Sequence, residues 1–240
     1  MPWYHAVAER DHEIQNPTSP EKIRLLGERL RLGPETRVLD LASGKCGPAV
    51  ILAGEFGCRI TAVERAPEFL AAARERVAAV GLRERIEIRE EDAAQAELGH
   101  GRFDVAMCLG ASFVWDGLEG TLAALTPAVH DGGAVVVGEP YWRRWPLPEG
   151  IADEGFVPLA DTAGRFEAAG LTVETMIVSS EDDWDRYETL HWPAVQDWLA
   201  GNPDDPDAPE IRRIHERARS DYLGWSRDLL GWAIFAGRKR

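Results

Sequence analysis

Apolar residues in this chain come in short runs separated by stretches with helical spacing. The runs are rich in Val and Ile, which favours buried strands, and the intervening positions such as Ile23, Leu26 and Leu30 form helical stripes. Strands are predicted over 38–40, 58–63, 86–88, 103–109 and 134–137. Helices are predicted to begin at Pro20 and Pro48, to cover 69–80, and to lie near 118–130, with a turn at 131–133 before the fifth strand.

Chemically distinctive residues stand at the ends of these predicted strands. They are Asp40, Glu64, Asp92, Gly110 and Glu139. Strand–helix alternation at this spacing predicts a doubly wound parallel sheet, in which the carboxyl ends of the strands meet at one ligand-binding edge. The pattern therefore predicts an α/β fold with a site at that edge.

The C-terminal third has a different pattern. Strands are predicted over 171–178 and 231–236, and helices over 184–199 and 210–223. Pro193 lies inside the first of these helices and should kink or split it. Two late strands fit a closing antiparallel pair better than a continuation of parallel units.

Charge and cysteine content narrow the classes of function. The formal net charge is −14 over 240 residues, which argues against a nucleic-acid partner, because such a partner needs a basic face. The chain has no apolar run of membrane-spanning length and no basic, apolar signal sequence, so we expect a cytoplasmic protein without a membrane partner. Cys46, Cys58 and Cys108 lack metal-ligand spacing and are expected to be reduced core residues.

The stretch from Val38 to Gly47 is the centre of the predicted site. A buried strand, a turn of small residues and a helix N-terminus together bring backbone N–H groups to a ligand. A P-loop is excluded, because Leu39 and Cys46 stand where it needs glycine and Ser or Thr. The spacing Ala42-x-Gly44-x-x-Gly47 leaves an imperfect dinucleotide fingerprint open.

The same turn resembles the Asp-x-Gly-x-Gly-x-Gly turn of class I S-adenosylmethionine (SAM) methyltransferases, with Ala42 and Cys46 replacing two glycines. The chain resembles this family over nearly its whole length. Three runs make it similar to small bacterial members with mostly unassigned substrates: His-x-Ile-x-Asn-Pro from His12, Gly-Glu-Pro-Tyr-Trp-Arg from Gly138, and Trp-Asp-Arg-Tyr-Glu from Trp184.

The resemblance implies a mainly parallel, seven-stranded sheet with an antiparallel C-terminal strand pair and added helices. It also implies one domain over 1–240. That domain would comprise a flap and helix at 1–33, a cofactor-binding core at 34–142, and substrate-side helices with closing strands at 143–240.

The resemblance further implies a SAM site, with S-adenosylhomocysteine (SAH) as the product. Asp40 would hold the methionine ammonium, Glu64 the ribose hydroxyls and Asp92 the adenine amino group. The other implied cofactor residues are Ala42, Ser43, Gly44, Cys46, Arg65, Ala93, Leu109 and Gly110.

A small-molecule acceptor is expected beside the opening segment and the late strand ends. His12 and Glu139 are the catalytic candidates, since either could take a proton that the acceptor must lose. Asn16, Trp115, Tyr141, Trp142 and His191 are the candidates for acceptor binding, with core packing as the alternative role of His191 and the aromatic residues. Methyl transfer is an in-line displacement, so positioning can supply much of the acceleration. No metal is expected, because His5, Glu9 and His12 share a face without a further ligand.

Two other functions remain open at this level. A nicotinamide-dependent oxidoreductase would also use Glu64 on a ribose. A SAM-binding module without catalysis would keep the cofactor site and serve regulation or interaction. NAD(H) binding would favour the first, and cofactor binding without turnover the second.

Overall fold

A computed structural model describes residues 2–240, so the first residue of the expected 1–33 segment lies outside it. Its strands occupy the positions that the apolar runs predict. The strands are β1 (Arg37–Leu41), β2 (Arg59–Glu64), β3 (Ile86–Glu90), β4 (Phe103–Leu109), β5 (Val129–Trp142), β6 (Leu171–Val178) and β7 (Leu230–Lys239).

Across residues 2–240 these strands form one seven-stranded sheet in the order β3-β2-β1-β4-β5-β7-β6. The first five strands pair in parallel, and β7 pairs antiparallel with both β5 and β6. The expected mainly parallel sheet with an antiparallel C-terminal pair is therefore confirmed. The strand order reverses between β1 and β4, which is where a doubly wound sheet opens a crevice for ligands.

The helices connect these strands and cover the sheet. They are α1 (Pro2–Ala8), α2 (Pro20–Leu30), α3 (Gly47–Phe56), α4 (Pro67–Ala79), α5 (Leu118–Leu125), α6 (Leu159–Ala168), α7 (Glu181–Gly201), α8 (Ala208–Asp221) and the short α9 (Arg227–Leu229). Single-turn 3₁₀ segments cover Ser112–Trp115 and Thr126–Ala128, and a π turn covers Tyr222–Ser226.

Alternate strand residues supply two apolar cores, one on each face of the sheet. Val38 and Ile60 join the core beneath α2, α3 and α4, whereas Leu39 and Leu41 join the core beneath α5 and α6. This period of two places Asp40 on the same side as Val38. Strand parity thus decides which side chains of β1 can reach a ligand.

Three expectations for local structure are corrected. The helix predicted near 118–130 is α-helical only as far as Leu125. Pro127 follows, and the chain continues through a 3₁₀ turn. The turn expected at 131–133 lies inside β5, where the register with β4 shifts. Helix α7 continues through Pro193 from Glu181 to Gly201, so the expected split is absent.

The C-terminal helices hold the opening segment in place. Ala8 of α1 packs with Val195 and Leu199 of α7 and with Ile211 of α8 in a third apolar cluster. Helix α7 begins at a capping box between Ser180 and Asp183. Because α1 is anchored on α7, the chain that leaves α1 is directed across the β1–α3 turn.

The described residues contain no helix that is both long and apolar enough to cross a membrane.

Candidate cofactor and acceptor site

The turn between β1 and α3 is built from left-handed backbone. Ala42, Gly44 and Cys46 have φ angles of 53°, 55° and 57°, although only the middle residue is glycine. A side chain in this conformation costs roughly 1–2 kcal/mol, because its Cβ crowds the following carbonyl. Ala42 and Cys46, which replace two glycines of the motif, therefore keep its backbone conformation and are strained by it.

Cys46 takes part in this turn through its backbone. Its side chain is fully buried in the core, with the sulfur 3.7 Å from the Ser43 hydroxyl oxygen. Burial raises the pKa of the thiol to about 12, so the group stays protonated and inert.

A cavity of about 560 Å³ opens at the carboxyl ends of the parallel strands. All the implied cofactor residues except Cys46 line it, and so does Asn16. Its wall consists of His5, Glu9, Glu13, Gln15, Asn16, Asp40, Ala42, Ser43, Gly44, Gly47, Pro48, Glu64, Arg65, Ala66, Phe69, Glu91, Asp92, Ala93, Leu109, Gly110, Ala111, Phe113, Val114 and Tyr187. Carboxylates dominate the charged part of this wall.

Glu64 is held at the end of β2 by backbone N–H groups. Its Oε2 accepts a hydrogen bond from the Gly44 N–H at 2.8 Å. Its Oε1 accepts bonds from the Arg65 and Ala66 N–H groups, both at 2.8 Å. A carboxylate offers about four acceptor positions, so one remains for a ligand hydroxyl.

Asp40 and Asn16 carry buried acceptors without a partner. Asp40 is 3% exposed and Asn16 is 4% exposed, and Asp40 Oδ2 and Asn16 Oδ1 make no hydrogen bond. The Asn16 amide donates to the Leu109 carbonyl at 3.2 Å, which fixes the orientation of the side chain. Burial, together with the charge of Glu64, raises the pKa of Asp40 to about 8. A buried acceptor without a partner is costly, so both atoms point to a cationic or N–H-bearing ligand.

Asp92 lies at the opposite side of the cavity, after β3. Its Oδ1 accepts the Ala94 N–H at 3.0 Å and its Oδ2 pairs with Arg65 at 2.7 Å. These two contacts, the backbone bond first, lower the pKa of Asp92. The carboxylate is thus ionised and kept in a fixed orientation beside Ala93.

The segment between α1 and α2 forms the wall of the cavity above the turn. A Cβ at Gly47 would overlap the Glu13 carbonyl, and a Cβ at Gly44 would overlap the Gln15 side chain. The two glycines therefore allow this segment to lie directly on the turn. We call residues 9–16 the flap.

His12 does not face the cavity. Its ring is buried, bonded through Nε2 to the Tyr187 carbonyl at 2.8 Å and stacked on His191 with ring centroids 4.5 Å apart. Burial lowers the pKa of His12, which favours the neutral ring. His12 and His191 thus pack between the flap and α7, and neither lines the cavity.

Glu139 does not face the cavity either. Strand β5 continues to Trp142 and pairs Glu139 with Ala233, so this residue lies inside the sheet and not at its edge. Burial raises the pKa of Glu139 to about 7, although a hydrogen bond from the Ser112 side chain acts to lower it. The side chain is in reach of the 3₁₀ turn at Ser112–Trp115.

The three aromatic candidates for acceptor binding pack away from the cavity. Tyr141 belongs to the core on the α5–α6 face, and the half-buried Trp115 packs against that core. Trp142 is 1% exposed and its indole N–H donates to Asp153 Oδ1 at 3.4 Å. None of the three lines the cavity.

Several wall residues were not predicted from the sequence. Glu9 and Gln15 come from the flap, Tyr187 from α7, and Phe113 from the 3₁₀ turn after β4. Phe113 is 75% exposed and also lines the cavity, so it lies at the mouth. Phe113 stands three residues after Gly110, just past the end of β4, and this position in the sequence could have predicted it as a wall residue.

The chain is similar to known methyltransferases. A family model described as "Methyltransferase domain" matches residues 38–133. A SAM-dependent methyltransferase from Geobacter sulfurreducens, solved in complex with S-adenosyl-L-homocysteine, is 34% identical, with a TM-score of 0.93 over 100% of this chain and 99% of that one. Another from Thiobacillus denitrificans, with the same ligand, is 33% identical with the same TM-score and coverage. The uncharacterized protein YjhP of Escherichia coli (strain K12) is 34% identical over 98% of both chains.

We expect Ala42→Gly to stabilise the protein. Glycine relieves the left-handed strain of roughly 1–2 kcal/mol. It also makes the unfolded chain more flexible, which costs about 0.4–1 kcal/mol, so the free energy of unfolding should rise by about 0.5–1 kcal/mol. Urea unfolding at neutral pH measures the difference.

The matched control is Ala71→Gly, at an exposed position inside α4, which should lose about 1 kcal/mol. Equal losses in both variants would show that Ala42 is not strained.

Proposed function

Because this chain belongs to the SAM-dependent methyltransferases, we propose that it transfers the methyl group of SAM to a small molecule bound at the mouth of the cavity. The class of enzyme and the cofactor follow from the family. The acceptor and the roles of individual residues are our proposal. It agrees with ten of the implied cofactor residues lining one cavity.

The pair of unpartnered acceptors carries the cofactor part of the proposal. The methionine ammonium of SAM has three N–H donors, and Asp40 Oδ2 and Asn16 Oδ1 are buried acceptors on one cavity wall that lack any donor. We therefore propose that Asn16 binds the cofactor, whereas the sequence suggested the acceptor. The positive charge of the ammonium would also favour the ionised form of Asp40.

The adenosine half fits the other side of the cavity. The free acceptor position of Glu64 suits a ribose hydroxyl, and the fixed carboxylate of Asp92 suits the adenine amino group. Phe69 and Ala93 supply apolar surface for the adenine ring. When bound, SAM supplies a methyl group activated by the adjoining sulfonium.

The acceptor would enter beside Phe113 and Val114. Both line the cavity, and the exposed Phe113 ring offers apolar contact at the mouth. In this arrangement, positioning of the acceptor carries the transfer. His12 would support α7 through the Tyr187 carbonyl, and Glu139 would support the 3₁₀ turn through Ser112.

The division of the chain follows the same proposal. Residues 1–33 would cover the cofactor, 34–142 would bind it, and 143–240 would support the flap and the acceptor side. The contact of α1 with α7 supports this division.

Ligand analysis and turnover test the proposal. Mass spectrometry of ligands released from the purified protein should detect SAM or SAH, and SAH should raise the melting temperature more than NAD(H) does. Release of SAH from SAM in the presence of an acceptor panel then measures transfer. Stabilisation by NAD(H) without any by SAH would contradict the proposal.

We expect the affinity for SAH to rise with pH up to about 8. Asp40, with its pKa raised to about 8, is protonated below that pH, so binding of the ammonium must expel a proton. Calorimetry in buffers of different ionisation enthalpy should detect this proton at pH 6.5 and lose it above pH 8.5.

Asp40→Asn should abolish the proton release and weaken binding by about tenfold or more. A carboxyl whose pKa is higher in the folded than in the unfolded protein contributes to the free energy of unfolding. This contribution is fully present at low pH and is lost as pH rises through about 8. The free Asp40→Asn protein should therefore lose less stability than wild type between pH 5 and pH 8. Affinity that is equal at pH 6 and pH 8 would contradict the role of Asp40.

We expect Glu64→Ala to weaken SAH binding by about tenfold or more, since hydrogen bonds to a charged group contribute about 1.5–3 kcal/mol. Titration calorimetry measures this. Glu90→Ala is the control, because Glu90 pairs with Arg74 and does not line the cavity. Unchanged affinity in a folded Glu64→Ala protein would remove Glu64 from the site.

A further inference from the structure

Lys45 is a buried lysine in the middle of the cofactor turn. It is 7% exposed and does not line the cavity. Its ammonium donates to the main-chain carbonyls of Glu9 at 2.5 Å, Arg10 at 2.9 Å and His12 at 3.4 Å. An ammonium has three N–H donors, so these carbonyls use all of them and leave none for a phosphate or another ligand.

All three carbonyls belong to the flap. The chain leaves α1 at Ala8, and the Glu9 carbonyl also accepts the His12 N–H at 3.1 Å within the flap. A single cation that binds all three carbonyls fixes the path of the flap. Burial lowers the pKa of Lys45, and the three carbonyl bonds offset the cost of keeping its charge inside the protein.

The backbone of Lys45 makes a second connection to the flap. Its N–H donates to Gln15 Oε1 at 2.6 Å, and the Gln15 amide donates to Glu9 Oε2 at 2.5 Å. Glu9 Oε1 in turn accepts the Tyr187 hydroxyl at 3.1 Å. One chain of hydrogen bonds therefore runs from the cofactor turn through the flap to α7.

These connections set which flap side chains face the cavity. Glu9, Gln15 and Asn16 line it, whereas Lys45 itself has no contact with the cavity. The Lys45 side chain connects to the cavity through the flap carbonyls that it binds. We propose that Lys45 is a positioning residue for SAM binding, whose ammonium holds the flap on the cofactor turn so that Asn16 lines the cavity together with Asp40. This inference rests on the proposed function of the cavity.

Lys45→Met removes the ammonium and keeps most of the side-chain volume, and Lys45→Arg keeps the positive charge. Lys239→Met is the matched control, since Lys239 also donates to a main-chain carbonyl, that of Val129 at 2.8 Å, and does not line this cavity. Gln15→Leu breaks the second connection and serves in the exchange measurement alone if Lys45→Met does not fold, because Gln15 itself lines the cavity; it should also increase exchange in residues 9–16.

Hydrogen exchange of the free proteins is the first measurement. Lys45→Met should increase the exchange of amides in residues 9–16 while the sheet strands stay as protected as in wild type, and Lys239→Met should leave residues 9–16 unchanged. Flap protection equal to wild type in Lys45→Met would overturn the inference, whether or not SAM is the ligand.

Titration with SAH is the second measurement. We expect Lys45→Met to bind SAH at least about tenfold more weakly, Lys45→Arg to recover part of this loss, and Lys239→Met to match wild type. Wild-type affinity in a folded Lys45→Met protein would also overturn the inference. Failure of wild type itself to bind SAH would refute the proposed function, and the exchange measurement would still decide whether Lys45 holds the flap.

Discussion

The left-handed turn between β1 and α3 is the constraint on which the site depends. Because Ala42, Gly44 and Cys46 all have positive φ, the Gly44 N–H meets Glu64 and the flap lies directly on the turn. Gly44 and Gly47 have no side chains to lift the flap away. Strand, turn and flap are thus one unit, and the cavity is the space that they enclose with the end of β4.

Much of the fold, and the half of the site that lies at the ends of the parallel strands, can be predicted from short-range patterns in the sequence. A period of two, together with parallel pairing, places Asp40, Glu64 and Asp92 at one edge of the sheet, and all three line one cavity. The substitutions Ala42 and Cys46 weakened the motif as a sequence signal. They did not change the backbone that the motif describes, since both residues keep a positive φ.

The other half of the site could not be predicted, because it depends on long-range packing. The flap has no repeating period, so the sequence does not tell that Asn16 faces the cavity while His12 faces α7. Glu139 follows the apolar run that predicts the fifth strand, so the sequence places it at the strand end. Strand β7, however, pairs with β5 well beyond that run, and Glu139 therefore lies inside the sheet. Tyr187 comes to the cavity from α7, a helix distant in sequence that packs on α1.

The acidic wall has a consequence for the end of the catalytic cycle. SAM carries a sulfonium charge that SAH lacks, while the wall carries Glu9, Glu64 and Asp92, with Arg65 paired to the last of these. Coulomb attraction to such a wall favours the cation over the neutral thioether. Each 1.4 kcal/mol of that difference changes the ratio of their affinities about tenfold. An acidic wall therefore favours the charged cofactor that enters the reaction over the neutral product that leaves it.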